Sequence, residues 1–341
     1  MNFLWAYNKN FTLTSQLNTP ISLQTAFDSR FHHKLSFDDF LNLDVTQEYQ
    51  ILDRKKQLIL NPTAKLKKYL RFLNSFIFNE ALVNANVVHS YRQGRNAYTA
   101  VEKHANSKYF FQTDIQNFFS SITTEIVGSV LDKNLSNAIS DIHNYKDQLL
   151  NFIVVNNTLP VGFPTSPSIT NTCLYDFDNA LESYCLKKGI IYTRYSDDII
   201  LSSNNINLNN IENIVSEYLE LFFNDKLLLN TNKTKHTHKG KKIKILGMVV
   251  LPCGKVSVDM KLKKQLEILF YFYINDKEKF EDYLTNKFKG ELSTISGQLD
   301  YINTVDQSYL DKLRKKYGNF IIDKFYRLPK EKKGKGDNEI I

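Results

Sequence analysis

The sequence predicts an α+β body followed by an all-helical C-terminal unit, and three observations carry that expectation. Across the middle of the chain, from about residue 108 to 251, short β-rich runs alternate with amphipathic helical stretches. Within that region IIYTRYSDDIILS (190–202) places two apolar β-rich arms around a polar pair, the pattern of strand, tight turn, strand. After Pro252 the periodicity is purely helical, opening near Asp259 as N-cap and continuing to about Tyr326.

The elements follow in order. Residues 1–48 are polar and aromatic and declare no element type, so they stand as an N-terminal extension. Residues 49–62 form a hairpin with the basic turn Asp53-Arg54-Lys55-Lys56, and LKKYLRFLNSFIFNEALV (66–83) has helical apolar spacing. KYFFQTD (108–114) is a strand ending on a carboxylate. Ser166-Pro167 starts a helix, with Ser as N-cap and Pro at the first helical position, and Gly189 ends it. An amphipathic helix spans about 210–223, and strands follow at 226–230 and 243–251. The charged end, PKEKKGKGDNEII, predicts a disordered basic tail over 328–341.

With 341 residues, 42% hydrophobic, the chain holds about two domains with a substantial core. Fibrous structure and wholesale disorder are excluded. A net charge of +8 and a pI near 9.0 favour anionic partners, nucleic acid before acidic membrane. Aromatics at 13% leave rings to spare for stacking on bases. Cys173, Cys185 and Cys253 make neither a CxxC pair nor a disulfide framework. The N-terminus lacks the pattern of a signal peptide, and no apolar run approaches the roughly 18 residues of a membrane span. The expectation is a cytoplasmic protein with no membrane partner.

Chemistry concentrates on acids. Asp197 and Asp198 are adjacent at the tip of an apolar hairpin. Successive strand residues point to opposite faces, but a tight turn brings both carboxylates toward one point. Two such acids repel, and burial makes them costly to ionise without a cation. Asp is also an ordinary turn residue, so the dipeptide alone decides little. Asp114 changes the balance, because it ends another apolar strand and is followed by Ile115-Gln116-Asn117-Phe118-Phe119. Side by side in one sheet, the two strands converge Asp114 and Asp197 on a pair of Mg²⁺ ions about 3.5–4 Å apart, an arrangement for attack of a hydroxyl on a nucleoside triphosphate.

FFQTDIQNFFSSI, LPVGFPTSPSITN, YTRYSDDIILS, NTNKTKH and ILGMVV occur in that order. Their order and spacing resemble the successive palm motifs of reverse transcriptases, in the pattern of bacterial retron-type and group II intron-like enzymes. ILNPTAKLKKYL and VVHSYRQGRNAYTAVEKHA resemble the finger motifs of that group, and ISGQLDYINTVDQSYLDKL resembles its helical thumb. The resemblance implies a right-hand polymerase with fingers, an antiparallel-sheet palm flanked by helices, and a helical thumb. It divides the chain into fingers at 49–113, palm at 114–252 with a finger-facing segment around 115–165, and thumb at 253–327.

The resemblance also implies roles. Asp114 and Asp197 match the metal-binding carboxylates, with Asp198 beside them and the Ile115 backbone carbonyl as a further ligand. Phe119 matches the bulky residue that blocks a ribose 2′-hydroxyl, next to Phe118. Pro160, Val161, Gly162 and Phe163 match the loop against the incoming nucleotide. Lys233 matches the lysine that protonates or neutralises the leaving pyrophosphate, and Gly247 the turn that grips the primer end. Tyr195, Ser196 and Lys235 flank these positions on the nucleic-acid side, and Arg92 and Arg95 are placed to contact template backbone. From Lys226 to Lys264 eleven lysines face one acid, Asp259, which reads as a phosphate-tracking surface.

Some positions depart from the family pattern. Gln57 stands where an arginine is usual five residues before Pro62, which leaves Lys55 or Lys56 for the triphosphate without arginine's bidentate fork. Val161 replaces a usual glutamine and Phe163 a small residue. AVEKH keeps His104 but has Ala100-Val101 for Asn-Ala, and ILGMVV lacks a Val-Thr-Gly triplet. With no room for maturase or endonuclease domains, the expectation is a stand-alone, defence-associated (antiphage) enzyme rather than an ordinary retron polymerase. It would copy RNA into DNA from a DNA or RNA primer with dNTPs and two Mg²⁺ ions, Mn²⁺ being an alternative. A dedicated noncoding RNA, a partner protein or a homo-oligomer would complete it. The rival expectations are a template-independent or protein-templated DNA-synthesising relative, a retron reverse transcriptase, and a nucleic-acid-binding protein with a vestigial site.

Overall fold

A computed structural model describes residues 20–331 apart from 55–56, 134, 136–138 and 289, and the side chains of 54, 57 and 328–331 are left aside. The chain forms two compact units that divide between His238 and Lys239. Sequence reading put this division at Pro252. The difference lies in a small sheet at residues 243–257, which belongs with the C-terminal helices.

In the first unit a hairpin joins β1 (Tyr49–Arg54) to β2 (Gln57–Pro62), with Tyr49 opposite Pro62. The central sheet contains β3 (Tyr109–Asp114), β4 (Ile190–Tyr195), β5 (Asp198–Ser203) and β6 (Lys235–His238) in the order β4-β5-β3-β6, antiparallel throughout. Ile199 through Ser203 are all buried, so β5 is covered on both faces rather than alternating between core and solvent. Helices Ala97–His104 and Tyr175–Lys188 pack on β4. One apolar core runs from Leu23 to Leu229, so residues 20–47, the expected finger segment and the palm segment share it. The N-terminal part is helical at Leu23–Phe31 and Phe37–Leu41, and its Phe27 and Phe40 stack at 5.0 Å beside Tyr69 and Phe72. It is part of this core rather than an appendage.

Several elements differ from expectation. The stretch 166–189 is two helices, Ser166–Cys173 and Tyr175–Lys188, broken at Leu174, and Thr165 rather than Ser166 precedes the first. The helix expected over 66–83 is Ala64–Phe76, with a 3₁₀ turn at Phe78–Glu80. Residues 226–230 form no strand, only a bridge of Leu229 to Ile115. The strand β6 was missed because KHTH has no apolar arm, as befits a sheet margin.

A buried histidine ties the sheet together. His104 places Nδ1 2.6 Å from Ser202 Oγ and Nε2 2.7 Å from Thr193 Oγ1, linking β5 and β4 to the preceding helix. Burial lowers its pKa to about 3. The unfolded chain protonates near 6.5 and the folded chain does not, so stability is full above about pH 6.5 and is lost as pH falls toward 3. Between pH 7 and 5 this costs about 1–2 kcal/mol. Urea midpoints across that range should fall less steeply for His104→Gln than for the parent.

The second unit has β7 (Ile243–Ile245), β8 (Met248–Val250) and β9 (Val256–Ser257) in one antiparallel sheet. The expected single strand over 243–251 is split by a turn at Leu246-Gly247, both at positive φ. Helices Met260–Asn275, Lys277–Phe288, Leu292–Val305, Gln307–Tyr317 and Asn319–Glu331 follow, the first capped by Asp259 as expected. Buried Asp306 accepts from Ser257 Oγ (2.6 Å) and pairs with Lys263 (2.8 Å) and Lys255 (3.0 Å), which holds its carboxyl well below the usual range. The last helix runs through Glu331, into the stretch expected as a tail; 332–341 lie outside the described residues. Among the described residues no helix is long and apolar enough to cross a membrane.

Candidate active site

The end of β3 meets the β4–β5 turn. Asp114 lies directly opposite Asp198, and Tyr195 pairs with Asp198 across a two-residue turn of Ser196 and Asp197. Ser196 has φ +60° while Asp197 does not take positive φ, the pattern of a II′-type hairpin turn. The Ile115 N–H donates to the Asp197 carbonyl at 3.1 Å, which fixes the chain beyond Asp114 against the turn. Asp114 is buried, whereas Asp197 and Asp198 are half-buried. The third component arrives from residues 230–234. The Asn230 N–H donates to the Asp114 carbonyl at 2.8 Å, and Thr234 Oγ1 lies 2.8 Å from Thr113 Oγ1. That docked turn sets Lys233 Nζ 2.5 Å from Asp114 Oδ2, with most of the lysine in solvent.

The electrostatics show what the cluster lacks. Burial, then repulsion from Asp197 and Asp114, pushes Asp198 up to about 6. Burial also raises Asp197, and Asp114 adds to the rise. The hydrogen bond to Asp114 raises Lys233. Among the described residues no group of three His, Cys, Asp or Glu stands in a coordinating array, and the Lys233 ammonium lies against Asp114. Yet Asp114 Oδ1 is buried with no hydrogen-bond partner. An orphaned carboxylate oxygen beside two acids held above their usual range is a hard-oxygen donor set that fits a hard divalent cation.

Behind the turn lies a polar frame that sequence reading missed. Arg194 and Asp178 are wholly buried and paired at 2.6 Å, and Tyr192 Oη donates to Asp178 at 2.7 Å. Arg194 also donates to the Ser196 carbonyl at 2.9 Å and to Asn171 Oδ1 at 3.3 Å. The segment 87–89 runs along the outer side of β4, exchanging backbone bonds with Arg194, and delivers Ser90 and Tyr91 to the turn. One sign was available in the sequence. An arginine inside the apolar arm IIYTRY requires a buried counter-charge.

Other expected residues lie as follows. Phe119 is half-buried, with its ring 5.6 Å from that of Phe118, and Phe118 is a core residue. Phe163 is buried against Tyr49, so its ring faces the core rather than a nucleotide. Pro160 is buried and its carbonyl accepts from Ser166 Oγ, while the Val161 carbonyl accepts from the Leu60 N–H at 2.8 Å. Arg92 donates to the Ala85 and Val88 carbonyls, both at 3.0 Å, so it braces its own loop; Arg95 is exposed. Tyr195 is half-buried, and Lys235 is exposed opposite Gln112 on β6. Gly247 belongs to the second unit. Lys55, Lys56 and the side chain of Gln57 lie outside the described part of the structure.

Gly162 explains itself by geometry. It has φ +112°, and a Cβ there would sit 2.3 Å from the Leu60 carbonyl oxygen and 2.9 Å from Ile59 Cγ2. The loop can therefore lie on β2 only with glycine at this position. Gly162→Ala should cost about 2–4 kcal/mol in urea denaturation, from combined backbone strain and clash.

Residues 54–250 match the family described as reverse transcriptase (RNA-dependent DNA polymerase). The chain is 25% identical over 300 residues to the retron Ec83 reverse transcriptase of Escherichia coli, covering 84% of this chain and 92% of that protein. It is 22% identical over 298 residues to the retron Ec86 reverse transcriptase of the same organism, covering 84% and 85%. With the retron Ec73 enzyme, also from Escherichia coli, it is 25% identical over 273 residues, covering 76% and 82%. Among solved structures, telomerase from Candida albicans with a fragment of telomeric RNA aligns at a TM-score of 0.42 and 10% identity, covering 82% of this chain and 59% of that one. The retron likeness holds even though Ala100-Val101 and ILGMVV depart from the retron signatures. With the family matched over most of an α+β chain whose acids meet at adjoining strand ends, this protein belongs to the reverse transcriptases, the RNA-dependent DNA polymerases.

Proposed function

We infer that the chain extends a primer with dNTPs, copying RNA into DNA at the junction of β3 and the β4–β5 turn. The observation that carries this reading is the meeting of Asp114, Asp197 and Asp198 with Lys233 at one strand end. Asp114, Asp197 and Asp198, with the Ile115 carbonyl, would hold two Mg²⁺ ions, or Mn²⁺ in their place. Such ions supply activation of the primer hydroxyl and charge stabilisation at the leaving pyrophosphate. Lys233 is tethered to Asp114 yet mostly in solvent, so it can turn to the departing pyrophosphate and neutralise or protonate it. Phe119 stands beside the sugar and selects deoxynucleotides. Arg95, Tyr195, Ser196 and Lys235 contact the strands, and the family likeness gives Gly247 the role of gripping a primer. A dedicated noncoding RNA, in the manner of the retron enzymes it resembles, supplies template and primer, and the biological setting is bacterial antiviral defence in the cytoplasm.

A second reading, synthesis with little or no nucleic-acid template, draws on the loop at 160–163. There the Phe163 ring turns to the core and the Val161 carbonyl is engaged by Leu60, so this loop offers little polar readout. The test is expression with the native flanking DNA, followed by sequencing of all co-purifying RNA and DNA, beside an Asp197→Asn variant. A defined DNA found only with the intact protein, complementary to a co-purifying RNA, supports the first reading. DNA of sequence unrelated to any RNA supports the second. Bound RNA in equal amount with no DNA from either protein overturns both in favour of a binding protein.

A further inference from the structure

Each polar group of Ser196 is held by a different residue, two of them neighbours in the segment 90–91. Its N–H donates to Ser90 Oγ at 2.8 Å, its Oγ lies 3.1 Å from Tyr91 Oη, and its carbonyl accepts from Arg194 at 2.9 Å. Asn171 closes the frame, donating to the Ser90 carbonyl at 2.9 Å and accepting from Arg194 at 3.3 Å. A two-residue hairpin turn holds its shape through its own cross-strand pairing and needs no such frame. Here the restraint falls on the residue immediately before Asp197.

Tyr91 is conspicuous within this frame. Its φ is +56°, a region where a bulky side chain is an outlier that persists only when its surroundings impose it. Packing does not account for the strain, because the residue is 48% exposed. What the conformation achieves is delivery of the phenol hydroxyl to Ser196 Oγ.

We propose that Tyr91 is a positioning residue, which fixes the Ser196-Asp197 peptide so that the Asp197 carboxylate is aimed at the Asp114 side of the site before a cation binds. This rests on the reading that Asp197 is a metal ligand. A carboxylate oriented in advance binds a cation more tightly, because its rotamers are not frozen at the moment of binding.

The test uses the full chain, freed of metal and titrated with Mn²⁺, with bound ion read by electron paramagnetic resonance and melting temperature recorded alongside. Tyr91→Phe removes only the hydroxyl. It should weaken Mn²⁺ binding about tenfold with an unchanged melting temperature. The Mn²⁺ needed for half-maximal primer extension should rise by the same factor, with most of the rate regained at saturation. Tyr91→Gly removes the hydroxyl and also relieves the positive φ. It should bind Mn²⁺ as weakly while melting at or above the parent temperature. Parent-like Mn²⁺ affinity in Tyr91→Phe overturns the proposal, and so does a melting temperature in Tyr91→Gly that falls with the affinity, the mark of a purely structural tyrosine. If the parent shows no Mn²⁺ binding that Asp197→Asn removes, the metal reading itself fails and the positioning role falls with it.

Discussion

Asp197→Asn is expected to lower primer extension by about 10³-fold or more, while the metal-free protein becomes no less stable than the parent. The two halves of this expectation have one cause. In the metal-free fold Asp197 and Asp198 are held above the ordinary carboxylate range by burial, with Asp114 adding to the rise of Asp197, and Asp197 and Asp114 to that of Asp198. At pH 7 their ionisation therefore opposes folding, by up to about 2–3 kcal/mol for Asp198, which is raised to about 6, and in the same direction for Asp197. The sign follows from linkage: the folded carboxyl retains its proton to higher pH than the unfolded one, so this group's contribution improves as pH falls from about 7 toward 4. Asparagine removes the charge at every pH. The same removal deprives the reaction of charge stabilisation worth several kcal/mol in a two-metal site, and about 4 kcal/mol corresponds to 10³ in rate. Thermal melts in chelator and primer extension in Mg²⁺ should move in opposite directions. A fall in both would mean that Asp197 is structural.

Asp178→Asn carries the largest expected loss of stability. Among the described residues its carboxylate is the only acidic partner of Arg194, and both side chains are fully buried. Removing one member of a buried pair leaves the other charge without compensation, at a cost of about 3–5 kcal/mol. On a unit of this size that lowers the melting temperature by about 10 °C. Removing both charges, with Asp178→Leu and Arg194→Met, should restore most of that stability, because apolar replacements of a buried pair are often neutral. Activity should not return with it, since the methionine cannot donate to the Ser196 carbonyl. Urea denaturation beside primer extension of the single and double variants separates the two roles. Equal recovery of stability and synthesis in the double variant would show that the arginine matters only for folding.

The parts of this site that local sequence could disclose were the ones decided locally. The arms 190–195 and 198–203 are β-branched and apolar around a polar pair, so the hairpin and its acidic tip were legible. Asp259 as a helix cap was legible for the same reason. Pairing of Asp114 with Asp198 joins residues far apart in sequence, and only the resemblance to palm motifs made it readable. What stayed hidden depends on tertiary contacts. The break at Leu174 carries no Gly or Pro, and its effect is to let Asn171 and Asp178 reach Arg194 from two helices. A phenylalanine at 163 reads equally as a nucleotide contact or a core ring, and it is the ring of Tyr49 beneath it that decides. Tyr91 gave no local sign, since neither its neighbours nor its type favour positive φ.

The segment at 87–89 has a consequence for how copies of this chain can meet. It exchanges both backbone bonds with Arg194, so this position of β4 is closed to another strand. The opposite margin, β6, consists of Lys235, His236, Thr237 and His238, and a lysine on a sheet margin disfavours pairing with a like strand. Both margins of the central sheet thus carry a feature that works against strand addition at that point. Association of copies through this sheet is therefore expected to run through side-chain surfaces rather than strand addition at these positions.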